Sequence, residues 1–387
     1  VNIPLKYNVR NLTARRGTIL MTVVSIAFVV LVYIGVLSLA GGLGAAFGAS
    51  GDPRNVLVLR DGARAETESS FPAERHREMA ALPGVQTGAD GQPLASGEVL
   101  ILQILTRKDG SESNVVLRGV EPAAFDVRPQ VRVVEGRRFE PGKGEVVVGA
   151  KLAERFPELQ LGSQIRFGRI DFRVVGLIEA GGGSFASEVW GAVQDFGNAF
   201  QRQNTCSSSL LRTASEEDAR ALVARIEADQ RLNLAARLET EYYEEQTTST
   251  GAQFVVLGTV LAVLMAFGAC FAAANTMYAQ VAARAKEIGT LRALGFPRRA
   301  ILGAFLLEAA FLGLLAGMLG AVASLPLNGI TTGTTNYVTF SEISFSLRTT
   351  PDVLVQGIVL AVLTGLAGGL VPAFSASRRP IAELLRG

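Results

Sequence analysis

His76 is the only histidine among the 387 residues, and that count limits the chemistry open to this chain. It excludes an HExxH zinc site, which needs two imidazoles one helical turn apart. By the same reading it excludes any Ser–His or Cys–His nucleophilic arrangement. Phosphate binding has no better support. The closest approach to a G-x-x-x-x-G-K-[ST] loop is "RRFEPGKGE" at 137–145, which lacks the first glycine and has Gly144 where the hydroxyl should stand. "GGGS" at 181–184 is followed by no helical pattern and reads as a loop. The carboxylates of 51–250 show no spacing that marks a catalytic pair. The expectation is therefore a chain with no catalytic residue, no metal and no bound cofactor. Of the two cysteines, Cys206 lies in the polar middle of the chain and Cys270 in an apolar stretch, so the polar region cannot form an intrachain disulfide.

The segment that invites a functional reading is "RAKEIGTLRALGFPRRA" at 284–300. It carries Arg284, Lys286, Arg292, Arg298 and Arg299 against one acid, Glu287. Ile288, Leu291 and Leu294 are spaced i, i+3, i+6 among these charges, and Gly295 and Pro297 close the passage. A short amphipathic helix of this kind suits docking into a partner's groove.

The elements around it are membrane spans. Charged residues make up 19% of the chain, below the usual fraction of about 25%, and the deficit is local. Residues 18–40, 252–280 and 353–374 contain no charge, and 300–325 contains only Glu308. Each run reaches the roughly 20 apolar residues that cross a bilayer. The first exceeds the roughly 7–15 apolar residues of a signal peptide, so it reads as a retained helix. Arg15–Arg16 reads as its basic membrane end. Glu308 is expected to pair with a nearby base such as Arg292 or Arg298 and fix the turn into the membrane, with proton relay as the alternative role for an intramembrane acid. Gly313 with Gly317, and Gly365 with Gly369, have the G-x-x-x-G spacing that lets helices approach closely.

Basic residues set the orientation. Lys6, Arg10, Arg15 and Arg16 precede the first span, 284–300 is basic, and Arg378, Arg379 and Arg386 face only Glu383 in the tail. Both termini and the 284–300 passage are expected in the cytosol, and the large polar region outside. These charges are topology signals and indicate no nucleic acid partner. The expected order is a cytosolic amphipathic start at 1–17 with Leu5, Val9 and Leu12 on one face, a span at 18–40 and an external α/β domain at 41–251. Spans at 252–280, 300–325 and 353–374 follow, separated by a cytosolic loop at 281–299 and a short external loop at 326–352, with a cytosolic tail at 375–387.

Within the external domain, "RNVLVLR", "SGEVLILQILTR", "SNVVLRGV", "GEVVVG" and "IDFRVVGLIEA" alternate as strands. Ser215 ahead of Asp218 marks a helix start, with Ala219, Leu222, Val223 and Ile226 on its inner face. "LETEYYEEQTTSTGAQF" at 238–254 has no proline and one glycine, so the second span is expected to continue outward as a stalk.

This layout resembles the FtsX/MacB-type permeases of ABC transporters, the type VII mechanotransmission group. "NLTARRGTILMTVVSIAF" resembles the family's entry into its first helix. "LRGVEPAAF", "GEVVVGAKLAERF", "LQLGSQIRFGRIDFRVVGLIEAGG" and "SEVWGAVQDF" resemble its periplasmic core. "RAKEIGTLRALGFPRRAILGAFLLEA" is similar to the family's R-x-x-E-I-x-x-L-R-A-L-G loop, and "VPAFSASRRPIAELLRG" to its tail. The resemblance implies four transmembrane helices plus a mixed α/β domain with porter-like and Sabre-like subdomains, the second inserted at about 117–200. It implies that Arg284, Lys286, Glu287, Ile288, Leu291, Arg292, Leu294 and Gly295 form a coupling helix docking on a separate ATPase subunit, two copies of which bind ATP and Mg. It implies an inner-membrane assembly with a second permease chain, identical or paralogous, together with a periplasmic adaptor and an outer-membrane exit duct. The implied output is export of a peptide, small toxic compound or glycolipid from the periplasmic side. Lipoprotein extraction and activation of cell-wall hydrolases are alternatives within the family. A membrane-anchored sensor or scaffold without an ATPase is the alternative of another class.

Overall fold

The computed structural model describes residues 16–229, 231–335, 339 and 341–381. The amphipathic reading of Leu5, Val9 and Leu12, and the charges at Glu383 and Arg386, lie outside these residues. The chain forms two compact units. Of the described residues, those within 1–41, 253–330 and 347–387 form a helical unit, and those within 42–252 and 331–346 form an α/β unit.

Helix α1 is Arg16–Gly48, longer at its far end than the expected span. Strand β1 (Asn55–Arg60) and the two-residue β2 (Phe71–Pro72) follow, then α2 (Ala73–Ala80), β3 (Ala95–Thr106) and β4 (Glu112–Val120). Next come α3 (Ala124–Val127), β5 (Arg132–Gly136), β6 (Glu145–Gly149), α4 (Ala150–Arg155), β7 (Gln164–Phe167), β8 (Ile170–Glu179) and β9 (Glu188–Ala192). The α/β unit continues through α5 (Val193–Phe200), β10 (Thr205–Cys206), β11 (Ser208–Arg212), α6 (Glu216–Ala228) and β12 (Leu234–Leu238). Helix α7 (Glu239–Ala283) is followed by α8 (Ala285–Ala293), α9 (Arg298–Ser324), β13 (Thr331–Thr335), β14 (Glu342–Ser346) and α10 (Pro351–Arg378).

Helices α1, α7, α9 and α10 are long and apolar enough to cross a membrane. Large apolar side chains such as Met21, Phe28, Leu264, Phe271, Val322 and Val371 point outward, a surface that suits lipid and would be a liability in water. Inside, small residues set the packing. A methyl group on Gly313 would lie 2.6 Å from the Ala361 carbonyl oxygen, and one on Gly365 2.7 Å from that of Ala309. Both glycine pairs are used within the chain, to bring α9 and α10 into backbone contact.

The main sheet of the α/β unit runs β12-β1-β11-β3-β4-β9-β6-β8-β5, with β7 against β8. Strand β3 belongs to two lobes. Residues 95–98 pair with β11, and 99–106 pair with β4. One core gathers Val56, Met79, Leu211, Leu222, Ile226 and Leu238; the other gathers Val99, Leu117, Val148, Phe167, Phe172 and Phe196. The second core thus starts at Val99, earlier than the inserted subdomain expected at about 117, because β3 and β4 form one hairpin. Ser215 caps α6: its hydroxyl accepts from the Asp218 N–H at 3.1 Å and donates to that carboxylate at 2.7 Å, a contact worth about 1 kcal/mol.

The loop expected at 326–352 has structure of its own. Its middle forms the β13–β14 hairpin and belongs to the α/β unit. Ile343 and Phe345 are buried, and the buried Glu342 receives Arg107 Nε at 3.0 Å and pairs with Arg155. Burying alternate apolar side chains and one paired acid ties the hairpin to its unit.

Candidate functional site

The 284–300 passage folds as α8 and the turn into α9. Helix α8 ends in a Schellman arrangement. Gly295 N–H donates to the Arg292 carbonyl at 3.2 Å and Phe296 N–H to that of Leu291 at 3.2 Å. Gly295 has φ +92°, a backbone that glycine adopts without a Cβ clash. Pro297 then caps α9, where a missing N–H costs nothing.

Side chains of α8 divide by face. Ile288 is buried with Met277, Val281, Ile301, Phe305 and Ala373. Lys286, Glu287 and Thr290 are exposed, and Leu294 is 72% exposed. The three expected apolar anchors therefore do not share a face. At about 100° per residue, the i, i+3, i+6 series drifts by about 120° around the helix, so Ile288 turns into the bundle while Leu294 turns out. Leu291 lies between them, half-buried.

Two arginines tie α8 to the bundle. Arg284 stands at the break between α7 and α8, and its two terminal nitrogens reach the Glu308 carboxylate on α9 at 2.9 and 3.1 Å. Glu308 has no exposed side-chain surface. Its partner is thus Arg284 rather than the expected Arg292 or Arg298, because Arg284 closes the neighbouring helix at the same level. Arg292 donates instead to the carbonyls of Ser377 at 2.9 Å and Arg379 at 3.3 Å, at the end of α10.

The α/β unit holds a second constellation that the sequence reading missed. Arg118 on β4 is buried and bonds three carboxylates: Glu66 at 2.9 and 3.1 Å, Glu98 at 2.6 Å and Glu188 at 2.7 and 2.9 Å. Arg128 pairs with Glu98 and donates to Glu239 at 3.0 Å. Glu239 opens α7. It also receives Asn55 Nδ2 at 2.8 Å and the Asp52 N–H at 3.0 Å. Burial acts against the charge on Arg118, but Glu188, Glu66 and Glu98 outweigh it and hold its pKa well above the usual value. Burial likewise acts to raise Glu98, but Arg128 and Arg118 outweigh it and hold the carboxyl below its ordinary range. Such a network locks strands and helix start together, because breaking it leaves a buried charge without its partner. The available signal was an arginine inside the apolar run "NVVLRGV".

A single histidine does not by itself rule out a Ser–His contact, and the structure has one. His76 Nδ1 lies 2.7 Å from Ser209 Oγ and Nε2 lies 3.1 Å from Glu121 Oε2. One histidine is enough for such a chain. Ser209 is fully buried in β11, so its hydroxyl has no access to a substrate. Burial, then Glu121 and Glu98, push the nearby Cys206 thiol up to about 12, which keeps it protonated and a poor nucleophile. Among the described residues no group of three His, Cys, Asp or Glu side chains is placed to hold a metal.

A family profile described as the MacB-like periplasmic core domain matches residues 19–229. One described as the FtsX-like permease C-terminal matches 259–381. The chain is 25% identical over 354 residues to the macrolide export ATP-binding/permease protein MacB of Azoarcus sp. (strain BH72), covering 84% of this chain and 50% of that protein. It is 26% identical over 358 residues to the pyoverdine export ATP-binding/permease protein PvdT of Pseudomonas entomophila (strain L48), covering 86% and 51%. The chain thus spans about half the length of these curated relatives. The periplasmic region of MacB from Actinobacillus actinomycetemcomitans aligns with 50% of this chain and 92% of its own, at 12% identity and a TM-score of 0.38.

Proposed function

Since the chain belongs to the family of MacB-like permeases with an FtsX-like C-terminal part, and is thereby a multi-pass permease component of an ABC exporter family, we propose that it turns movement at α8 into movement of its α/β unit. An ATP-binding unit docks on the exposed face of α8, with Leu294 as the apolar contact and Lys286 and Glu287 beside it. That unit binds ATP and Mg, and the 387 residues here supply no P-loop of their own. The relatives' names join ATP-binding and permease parts in one protein about twice as long, and the ATP-binding unit of this proposal lies outside these 387 residues. Two permease chains and two ATP-binding units form the assembly in the inner membrane. The termini and α8 are cytosolic, and the α/β unit is on the far side.

The observation that carries the proposal is the pair of anchors on α7. Its first residue, Glu239, is bonded by Arg128 and Asn55 within the α/β unit. Just past its last residue, Arg284 grips Glu308 beside α8. A continuous helix held at both ends passes on displacement. The cargo, a peptide, small toxic compound or glycolipid, leaves from the far side, with an adaptor and exit duct as further partners. The test is a distance measurement between spin labels on the α/β units of paired chains, with and without ATP. A nucleotide-dependent change in the wild type that is lost in Leu294→Asp supports the proposal, and no change in the wild type overturns it.

A further inference from the structure

A cleft of about 530 Å³ opens in the α/β unit between α2 and α5. It lies outside the coupling elements, and its walls are polar. Glu121 projects from one wall and is held in place. Its carboxylate accepts from His76 at 3.1 Å and from the Gly97 N–H at 3.3 Å, and its own N–H donates to Ser96 Oγ at 3.3 Å. A His76 ring with its proton on Nε2 serves this bond while Nδ1 accepts from the Ser209 hydroxyl. Gly97 makes the approach possible, since a methyl group there would lie 2.8 Å from the imidazole. The Glu121 side chain remains 38% exposed, so a pre-positioned acceptor faces the cleft.

Arg77 on α2 and Arg202 past the end of α5 line the same cleft. Both are exposed, and neither is in an ion pair among the described residues. Asn198 and Gln203 add amide groups, with Gln203 Nε2 donating to Asn198 Oδ1 at 3.1 Å. The loop between α5 and β10 holds two non-glycine residues, Gln201 and Asn204, at φ 58°. Left-handed backbone at such residues costs energy and concentrates at binding sites. No tyrosine, tryptophan or phenylalanine lines the cleft. Sugars and aromatic drugs, which need flat apolar walls, are poor fits.

We propose that this cleft binds a short peptide, with Glu121 receiving the ammonium or backbone N–H groups and Arg77 and Arg202 receiving the carboxylate. Guanidinium–carboxylate contacts are charge-assisted and directional. The proposal narrows the exported cargo to peptides, and it rests on the export reading for the ligand's fate, though not for binding.

The test uses the full chain in lipid nanodiscs, immobilised, and a randomised tetrapeptide pool with free termini. The control is the same pool acetylated and amidated. Retained peptide is measured by mass spectrometry. The free pool should be retained over the blocked pool, and Arg77→Gln with Arg202→Gln should lower retention about tenfold, the size expected for lost charged hydrogen bonds. Asn198→Trp, an exposed change that fills the cleft, should do the same without altering the melting temperature. No retention, equal retention of both pools, or retention that these variants leave intact would overturn the proposal. Co-purification of the ATP-binding unit, measured on the same preparations, reports separately on coupling.

Discussion

Arg284, between α7 and α8, holds Glu308 of α9 with both terminal nitrogens, at 2.9 and 3.1 Å, in a place where the carboxylate has no exposed surface. The break between the long helix and α8 is therefore pinned by a charge pair inside the helical unit. Replacing Glu308 with Ala should destabilise that unit by about 3–5 kcal/mol, because Arg284 loses its buried partner. Replacing both residues with Met should recover most of the loss. Thermal unfolding of the purified chain in detergent checks this, and an unaltered melting temperature in Glu308→Ala would show that the pair is not holding the bundle.

The two faces of α8 should separate by phenotype. Leu294→Asp should leave insertion and melting temperature unchanged and reduce co-purification of the ATP-binding unit about tenfold, the effect of losing one well-packed apolar contact at an interface. Ile288→Asp buries a charge among Met277, Phe305 and Ala373 and should lower the yield of folded protein itself. Membrane yield, melting temperature and pull-down on both variants distinguish these outcomes.

Glycines at the helix contacts should differ in tolerance. Gly313→Ala puts a methyl group 2.6 Å from the Ala361 carbonyl oxygen, whereas nothing lies within 4 Å of one added at Gly303. Gly313→Ala should lower the melting temperature by several degrees, the effect of about 1–3 kcal/mol of overpacking, and Gly303→Ala should be neutral. Equal behaviour of the two would count against close α9–α10 packing.

Acid should loosen the α/β unit. The carboxyl of Glu98 sits below its ordinary range in the folded chain because Arg128 and Arg118 outweigh the burial that would raise it. A carboxylate lowered on folding contributes fully above its unfolded pKa of about 4.3, and that contribution is lost as pH falls through the lower folded value. Stability should therefore decline below about pH 4.3. Glu98→Gln should be less stable at pH 7 and show a shallower acid decline. Denaturant titrations at several pH values measure both slopes, and an unchanged acid slope in Glu98→Gln would remove this residue from the account of acid lability.

Features that depend on neighbouring residues were the readable ones. The apolar runs gave the four long helices, Gly295 and Pro297 gave the end of α8 and the start of α9, and Ser215 gave the cap of α6. The buried network was hidden because its members converge from afar. Arg118 meets Glu66, Glu98 and Glu188 across separations of 52, 20 and 70 residues. The β13–β14 hairpin was missed although Ile343 and Phe345 alternate, since a stretch between two spans invites reading as a loop. The exposed face of α8 was half legible: the helix and its glycine stop were expected, but which of its apolar residues turn outward depends on helix phase against a bundle that the sequence does not display.

The most direct measurement is photocrosslinking from position 294 in native membranes, with a benzophenone amino acid in place of Leu294 and mass spectrometry of the adducts. The expected result is an adduct with an ATP-binding polypeptide whose yield changes when ATP is added. Adducts with lipid alone, from a chain that inserts and folds normally, would contradict α8 as the docking element.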